Sequence, residues 1–221
     1  LEQDPDNLLL ARFPLRRLEV EAIRDSMLVV SGRLIDRLYG GPMYPHIPGD
    51  ALRSGYNPAG VWKPFNERDA SRRTIYSFLK RTLLVPFLET LDFCDTARSA
   101  ERREVTTVAP QALWTLNSPS VFEQAKHLAG RITTSSGTDD RDWIAGVWLT
   151  LLSRPITEQE SQEATALLAQ LTDQATASQD QLATALGELP ESLRPLALPR
   201  ATALIQICLA AYNLNEFSFV D

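Results

Sequence analysis

The sequence predicts a mainly α fold: an irregular multi-helix domain with a minor β element. Three observations predict it. From Pro110 to Asn213 apolar residues recur at helical spacing, in segments that open on a proline or a capping residue. Residues 40–66 hold five prolines and five glycines, a composition that breaks regular structure. One short run, Thr74–Leu79, has the β-branched and aromatic content of a strand.

The elements follow in chain order. Residues 1–14 read as an N-terminal extension with the character of the interior of a longer chain, and residues 15–221 as the domain itself. Pro14 heads a helix in which Leu15, Leu18, Ala22, Ile23 and Val30 share helical spacing, and Gly32 caps its end. The Tyr- and Trp-rich loop 40–66 is the expected wall of any groove. In residues 71–81, Ile75 and Leu79 alternate with Tyr76 and Phe78, which suits a strand buried on both sides. Ile75, Phe78 and Leu79 also fit a helix, but residue type favours the strand.

Beyond Pro110 the signals are helical. Ser118 and Pro119 sit at the N-cap and N1 of a helix through Arg131. Thr138, before Asp139 and Asp140, starts another, with Trp143, Ile144, Val147, Trp148, Leu151 and Leu152 as its apolar stripe. Thr157 and Glu160 form a capping box for the next, which carries Ala164, Leu167, Leu168 and Leu171. Its Ala/Gln/Thr-rich tail extends that helix or begins a second. Pro199 opens the last helix.

Composition excludes some functions. The 221 residues carry a net charge of −6, which disfavours non-specific nucleic-acid binding. Charge is uneven: residues 63–103 are net +3 and residues 137–192 net −8. These are two solvated faces, or faces for different partners. The best candidate span, residues 204–212, is too short to cross a membrane. The two cysteines, Cys94 and Cys208, form no C-x-x-C or C-x-x-C-H motif, so neither a zinc knuckle nor covalent haem attachment is expected, and no cofactor is expected within this chain. From spacing alone, two separate buried thiols fit better than a disulfide.

Few residues suggest chemistry. His46 and His127 stand apart, which does not make a metal site. Asp92 and Asp95 are a spaced carboxylate pair that suits calcium ligation or acid/base work, and a structural salt-bridge network with Arg72, Arg73, Arg102 or Arg103 is the better reading. On a strand, Arg72 and Arg73 point to opposite faces, leaving one to be buried and paired and the other to meet an anionic ligand. Tyr56 and Trp62 are the candidate ligand-facing aromatics of the loop. Gln111 and Asn117 lie among apolar neighbours. They read as the two ends of a short helix, with Thr106 or Thr107 capping it and Asn117 closing it.

Several of these residues carry a resemblance. Arg72, Arg73, Tyr76, Leu91, Asp92, Arg103, Thr107, Pro110, Gln111, Ala112, Leu113, Leu116 and Asn117 fall on the pattern of a planctomycete-specific domain family of unknown function. The segment 16–34, the Arg154-Pro155-x-Thr157-x-x-Glu160 turn and the closing Asn215-Glu216-Phe217 also resemble it. The four residues after Asp95 are a departure. The match covers residues 15–221, read as the C-terminal part of the family domain. The resemblance implies an extracytoplasmic setting, periplasmic or secreted, at the end of large proteins that often carry a planctomycete cytochrome c-type domain. In that setting a Cys94–Cys208 disulfide gains in plausibility. The family supplies no catalytic residues. Asp92, Arg103, Thr107, Gln111 and Asn117 are therefore expected to be a structural motif.

Two functions follow as expectations. The first is an accessory or interaction domain of a larger exported protein, partnered by the parent's other domains and associated with c-type haem domains outside this chain. The second is part of a carbohydrate-active or hydrolytic apparatus, with an aromatic-lined groove facing a polysaccharide.

Overall fold

The computed structural model describes residues 7–9, 13, 15–47, 49, 52, 62–63, 66–81, 83–96, 98–178, 182, 184 and 186–220. Its architecture is mainly α with a minor β element. The helices are α1 (Val20–Val30), α2 (Glu67–Ala70), α3 (Pro86–Thr90), α4 (Ala109–Asn117), α5 (Pro119–Ser135), α6 (Asp140–Leu152), α7 (Glu158–Ala177), α8 (Leu198–Ala211) and α9 (Asn215–Ser218). Two 3₁₀ turns lie at Thr74–Tyr76 and Glu191–Leu193. Strands β1 (Arg16–Arg17) and β2 (Phe219–Val220) pair antiparallel, Arg16 opposite Val220 and Arg17 opposite Phe219.

The larger core surrounds α8. That helix buries Ala201, Thr202, Ala203, Leu204, Ile205, Ile207, Cys208 and Ala211, so it is covered on nearly every side. Around it stand α5 with Val121, Leu128 and Ile132, α6 with Ile144 and Val147, and α7 with Ala164 and Leu168. Gly130 of α5 allows the 3₁₀ turn Glu191–Leu193 to approach, since a Cβ there would lie 2.5 Å from Ser192 Oγ. Arg200 fixes the start of α6, donating to Asp140 Oδ1 at 2.7 Å and stacking 4.2 Å from the Trp143 ring centroid.

A smaller core gathers Val20, Ile47, Trp62, Val85, Phe87, Leu88 and Leu91. Helix α1 is the wall between the two, giving Ile23 and Met27 to one and Val20 to the other, and Trp114 of α4 touches both. Gly32 ends α1 with φ +74°: its N–H donates to Val29 O at 3.0 Å and the Arg33 N–H to Leu28 O at 2.8 Å. Those two bonds satisfy the last carbonyls of the helix.

Most late helix starts lie where capping chemistry put them. Thr157 and Glu160 cap α7 reciprocally, as expected. The start of α6 is shifted by one residue: Asp139, not Thr138, accepts the Asp142 N–H at 2.8 Å. The tail of α7 runs through Ala177, and several residues of the following stretch lie outside those described.

Two expectations are corrected. Helix α1 begins at Val20 rather than near Pro14, which itself lies outside the described residues. Arg16 and Arg17 are extended instead, because they pair with Phe219 and Val220, and Leu15 is exposed. The run Thr74–Leu79 is no two-sided buried strand. It opens with the 3₁₀ turn and leaves Ile75 exposed, while Arg72 and Ser77 form only isolated bridges to Ile35 and Met43. In both places long-range pairing outweighs local residue preference.

Because α8 is enclosed, truncating it leaves a cavity that neighbours fill only in part. Leu204→Ala is expected to lower unfolding free energy by about 3 kcal/mol. Urea denaturation measures this, and a loss under about 1 kcal/mol would mean that the core collapses onto the site.

Candidate functional site

The polar residues with the most suggestive chemistry converge on Asp92. It follows α3 in a left-handed conformation, φ +60°, which Asp tolerates better than most residues. Its carboxylate receives Arg17 Nη2 at 2.6 Å, the Thr106 N–H at 2.7 Å, Thr106 Oγ1 at 2.9 Å and Gln111 Nε2 at 3.1 Å. Arg17 enters from β1. Its side chain is only 6% exposed, and it also donates to Thr106 O at 2.7 Å and Leu91 O at 3.4 Å. Burial pushes the Asp92 carboxyl up, but the Thr106 N–H, Arg17 and the Thr106 hydroxyl outweigh that and hold it below the usual aspartate value.

Gln111 links this knot to α4. It stands at N3, and its Oε1 accepts the Val108 N–H at 3.4 Å, half of a capping box whose other half valine cannot supply. Its Nε2 reaches Asp92 and Thr106 Oγ1. Arg103 lies alongside, forked onto Glu21 at 2.6 and 2.7 Å, with its guanidinium 5.2 Å from the Phe93 ring centroid. A cleft of about 850 Å³ opens between Arg16, Arg17, Asp92, Arg102, Arg103 and Thr106.

A second hollow, about 230 Å³, lies between α1, α4 and α5. Met27, Leu28, Phe87, Trp114 and Val121 floor it, and Arg33, His46, Glu67, Glu123 and Gln124 stand at its rim. Arg33 joins Glu67 to His127, whose Nε2 accepts from Arg33 Nη1 at 2.6 Å. Burial, and then the Arg33 charge, lower the His127 pKa, so the ring is neutral near pH 7. Among the described residues no group of three His, Cys, Asp or Glu side chains is placed to hold a metal ion.

The remaining candidates are scattered. Arg72 is 1% exposed and donates to the carbonyls of Gly41 at 2.8 Å and Tyr39 at 2.6 Å, with the Tyr76 ring 4.1 Å away. Arg73 is half exposed and its Nε lies 3.5 Å from Asp25 Oδ2. The sequence thus anticipated opposite fates for this pair, but the buried member meets carbonyls rather than a carboxylate. Trp62 is buried, edge-on to Tyr44 and Phe78 with centroids 5.5 and 5.7 Å away, so it lines no open groove. Tyr56 lies outside the described residues. Asp95 meets Arg98 at 3.5 Å, both exposed, well apart from the Asp92 knot in character.

Several pairings differ from expectation. Asp92 takes Arg17, not Arg72, Arg73, Arg102 or Arg103. Thr106 rather than Thr107 makes the bonds to Asp92, since the carboxylate meets its N–H and hydroxyl together. Asn117 does close α4, but through Nδ2 donating to Leu113 O at 2.8 Å and without a positive φ. Cys94 and Cys208 are both free thiols, the first half-buried and the second enclosed in α8, where burial raises its pKa well above the usual thiol value. Arg17 was missed altogether. Its signal in the sequence is an arginine doublet at residues 16–17, which also suits the exposed face of a helix.

Residues 1–168 match PSD1, a family described as a protein of unknown function (DUF1553). The chain belongs to this family. No curated protein and no solved structure matches it. Within the matched span of this DUF1553 chain lie Arg17, Asp92, Thr106 and Gln111, so the knot is built wholly from the part that defines membership.

A carboxyl held below its ordinary value stabilises the fold fully above its unfolded pKa, about 3.9, and loses that contribution as pH falls through the lower folded value. Asp92→Asn, which keeps tolerance of positive φ, is therefore expected to flatten the acid limb of a urea-stability series run from neutral pH to about pH 2. Asp92→Ala strands a buried guanidinium and is expected to cost about 3 kcal/mol at neutral pH. A loss below about 1 kcal/mol would mean that water replaces the carboxylate.

Proposed function

We propose that this chain is an accessory, interaction-bearing domain of a larger exported bacterial protein rather than an enzyme. One observation carries the reading: Asp92 and Arg72, the residues best suited to chemistry, direct polar groups at structural partners within the chain. A general acid must keep a proton near neutrality. Asp92 is held the other way, ionised by Arg17 and the Thr106 donors. Arg72, the most suggestive anion-binding residue, turns its N–H groups onto loop carbonyls.

What remains turned outward suits recognition. The 230 Å³ hollow joins an apolar floor to a charged rim, the form that receives a partner's apolar side chain and fixes its polar surroundings. The family resemblance supports an extracytoplasmic location and partners among the other domains of the parent protein, c-type haem domains included. Any haem would be held by those domains, because this chain has no C-x-x-C-H. The carbohydrate alternative draws no support from Trp62, which packs inward, or from Asp92, which holds no proton to give.

The test is a titration of this chain against the separately produced c-type haem domain of its parent protein, followed by calorimetry and amide shifts. Saturable binding with a Kd of about 10 μM or tighter is expected, with shifts at Arg33, Glu67 and Gln124. Absence of binding, together with polysaccharide turnover that Asp92→Asn abolishes, would overturn the reading.

A further inference from the structure

Helix α4 is apolar on its outer side, while its inner side combines the polar Gln111 and Thr115 with the half-buried Trp114, which packs against both cores. The residues it buries are Gln111 and Thr115. Gln111 is spent on Asp92 and Thr106, and Thr115 Oγ1 donates to Gln111 O at 3.1 Å. Ala109, Ala112, Leu113 and Leu116, spaced i, i+3, i+4 and i+7, form one stripe that faces solvent. Leu113 is 56% exposed and Leu116 44%. Val105 and Val108, 62% and 48% exposed, extend the surface before the helix.

This stretch is also without charge. No Asp, Glu, Lys or Arg occurs from Val105 to Phe122, in a chain of which 23% of residues are charged. A solvated helix face ordinarily carries charge. Apolar surface with the charges removed is what the centre of a protein interface has.

We propose that this face binds a second copy of the chain, with the two α4 helices packed antiparallel about a two-fold axis. The order of large and small residues selects this occupant. An axis passing between Ala112 and Leu113 brings Ala109 opposite Leu116 of the second copy and Ala112 opposite its Leu113. Every leucine then meets an alanine, so the surface is complementary to itself, as a two-fold contact requires. A parallel arrangement in register sets leucine on leucine and alanine on alanine. The pairing also desolvates no charge and brings no like charges together, although each copy is net −6.

The contact is small. A nine-residue helix is roughly 13 Å long and covers less than the roughly 800 Å² per partner of a standard interface, so the proposal is for a weak, reversible association. It stands apart from the accessory reading, because binding to a parent domain succeeds or fails whatever α4 does.

Sedimentation equilibrium of the full chain from about 5 to 500 μM tests it. A reversible monomer–dimer equilibrium is expected. Leu113→Glu and Ala112→Lys should each raise the dimer Kd at least roughly tenfold, while leaving thermal unfolding almost unchanged because both positions face solvent. Mixing the two variants in equal amounts should restore a heterodimer, since the axis sets one substituted position opposite the other. A chain that stays monomeric throughout overturns the proposal and leaves the face to a different partner. So does a dimer that either variant retains, or a mixture that forms no heterodimer. Should Leu113→Glu fail to fold, Leu116→Gln with Ala112→Lys provides the same comparison of single variants.

Discussion

A guanidinium taken out of water needs acceptors, and Arg17 finds them for both Nη groups on separate parts of the chain, while its buried Nε has no partner among the described residues. The end of α3 gives the Leu91 carbonyl and the Asp92 carboxylate, and the segment before α4 gives the Thr106 carbonyl. Gln111 then ties α4 to the same carboxylate. The position of β1, the late start of α1 and the orientation of α4 all fit this arrangement. Arg17 reaches this place from extended backbone paired with β2. Gln111 can serve Asp92 only if α4 turns its polar side inward, which forces its leucines out.

Arg72 shows the same principle with a different set of acceptors. Among the described residues no carboxylate meets it. The carbonyls of the loop at 37–41 accept from its two Nη groups and the Tyr76 ring lies against its face, while its Nε has no partner among the described residues. That loop holds Tyr39 at φ +62° and Gly40 at φ +98°, conformations that need outside support in the case of tyrosine. Two buried arginines thus define two irregular regions that hydrophobic packing alone does not fix. The helical body needs neither, since α5, α6 and α7 close around α8 by apolar contact.

What the sequence revealed follows the range of the interactions concerned. Gly32, Pro119, Thr157 and Glu160 act within a few residues of themselves, and the helix ends they mark were legible. So was the joint role of Gln111 and Asn117, which sit at the two ends of α4. The partner of Asp92 was not, because Arg17 is 75 residues away and nothing local distinguishes it from Arg16. The Thr106–Thr107 doublet read as a cap, but Val108 is the N-cap of α4 and Thr106 instead serves Asp92, a role only long-range contact reveals. Trp62 read as a groove wall because its loop is irregular; that Tyr44 and Phe78 enclose it depends on contacts made at a distance.

The strand pair has a mechanical consequence. Arg16 lies opposite Val220 and Arg17 opposite Phe219, so the chain leaves both strands at the same end of the ladder. Tension applied through the flanking polypeptide therefore acts on the Arg16–Val220 pair first and opens the ladder one rung at a time, instead of shearing all its bonds together. The next resistance is Arg17 in its ring of acceptors. On the β2 side the chain passes directly through α9 into α8, so that ring guards only the β1 end, and the two ends of the clip meet unequal resistance.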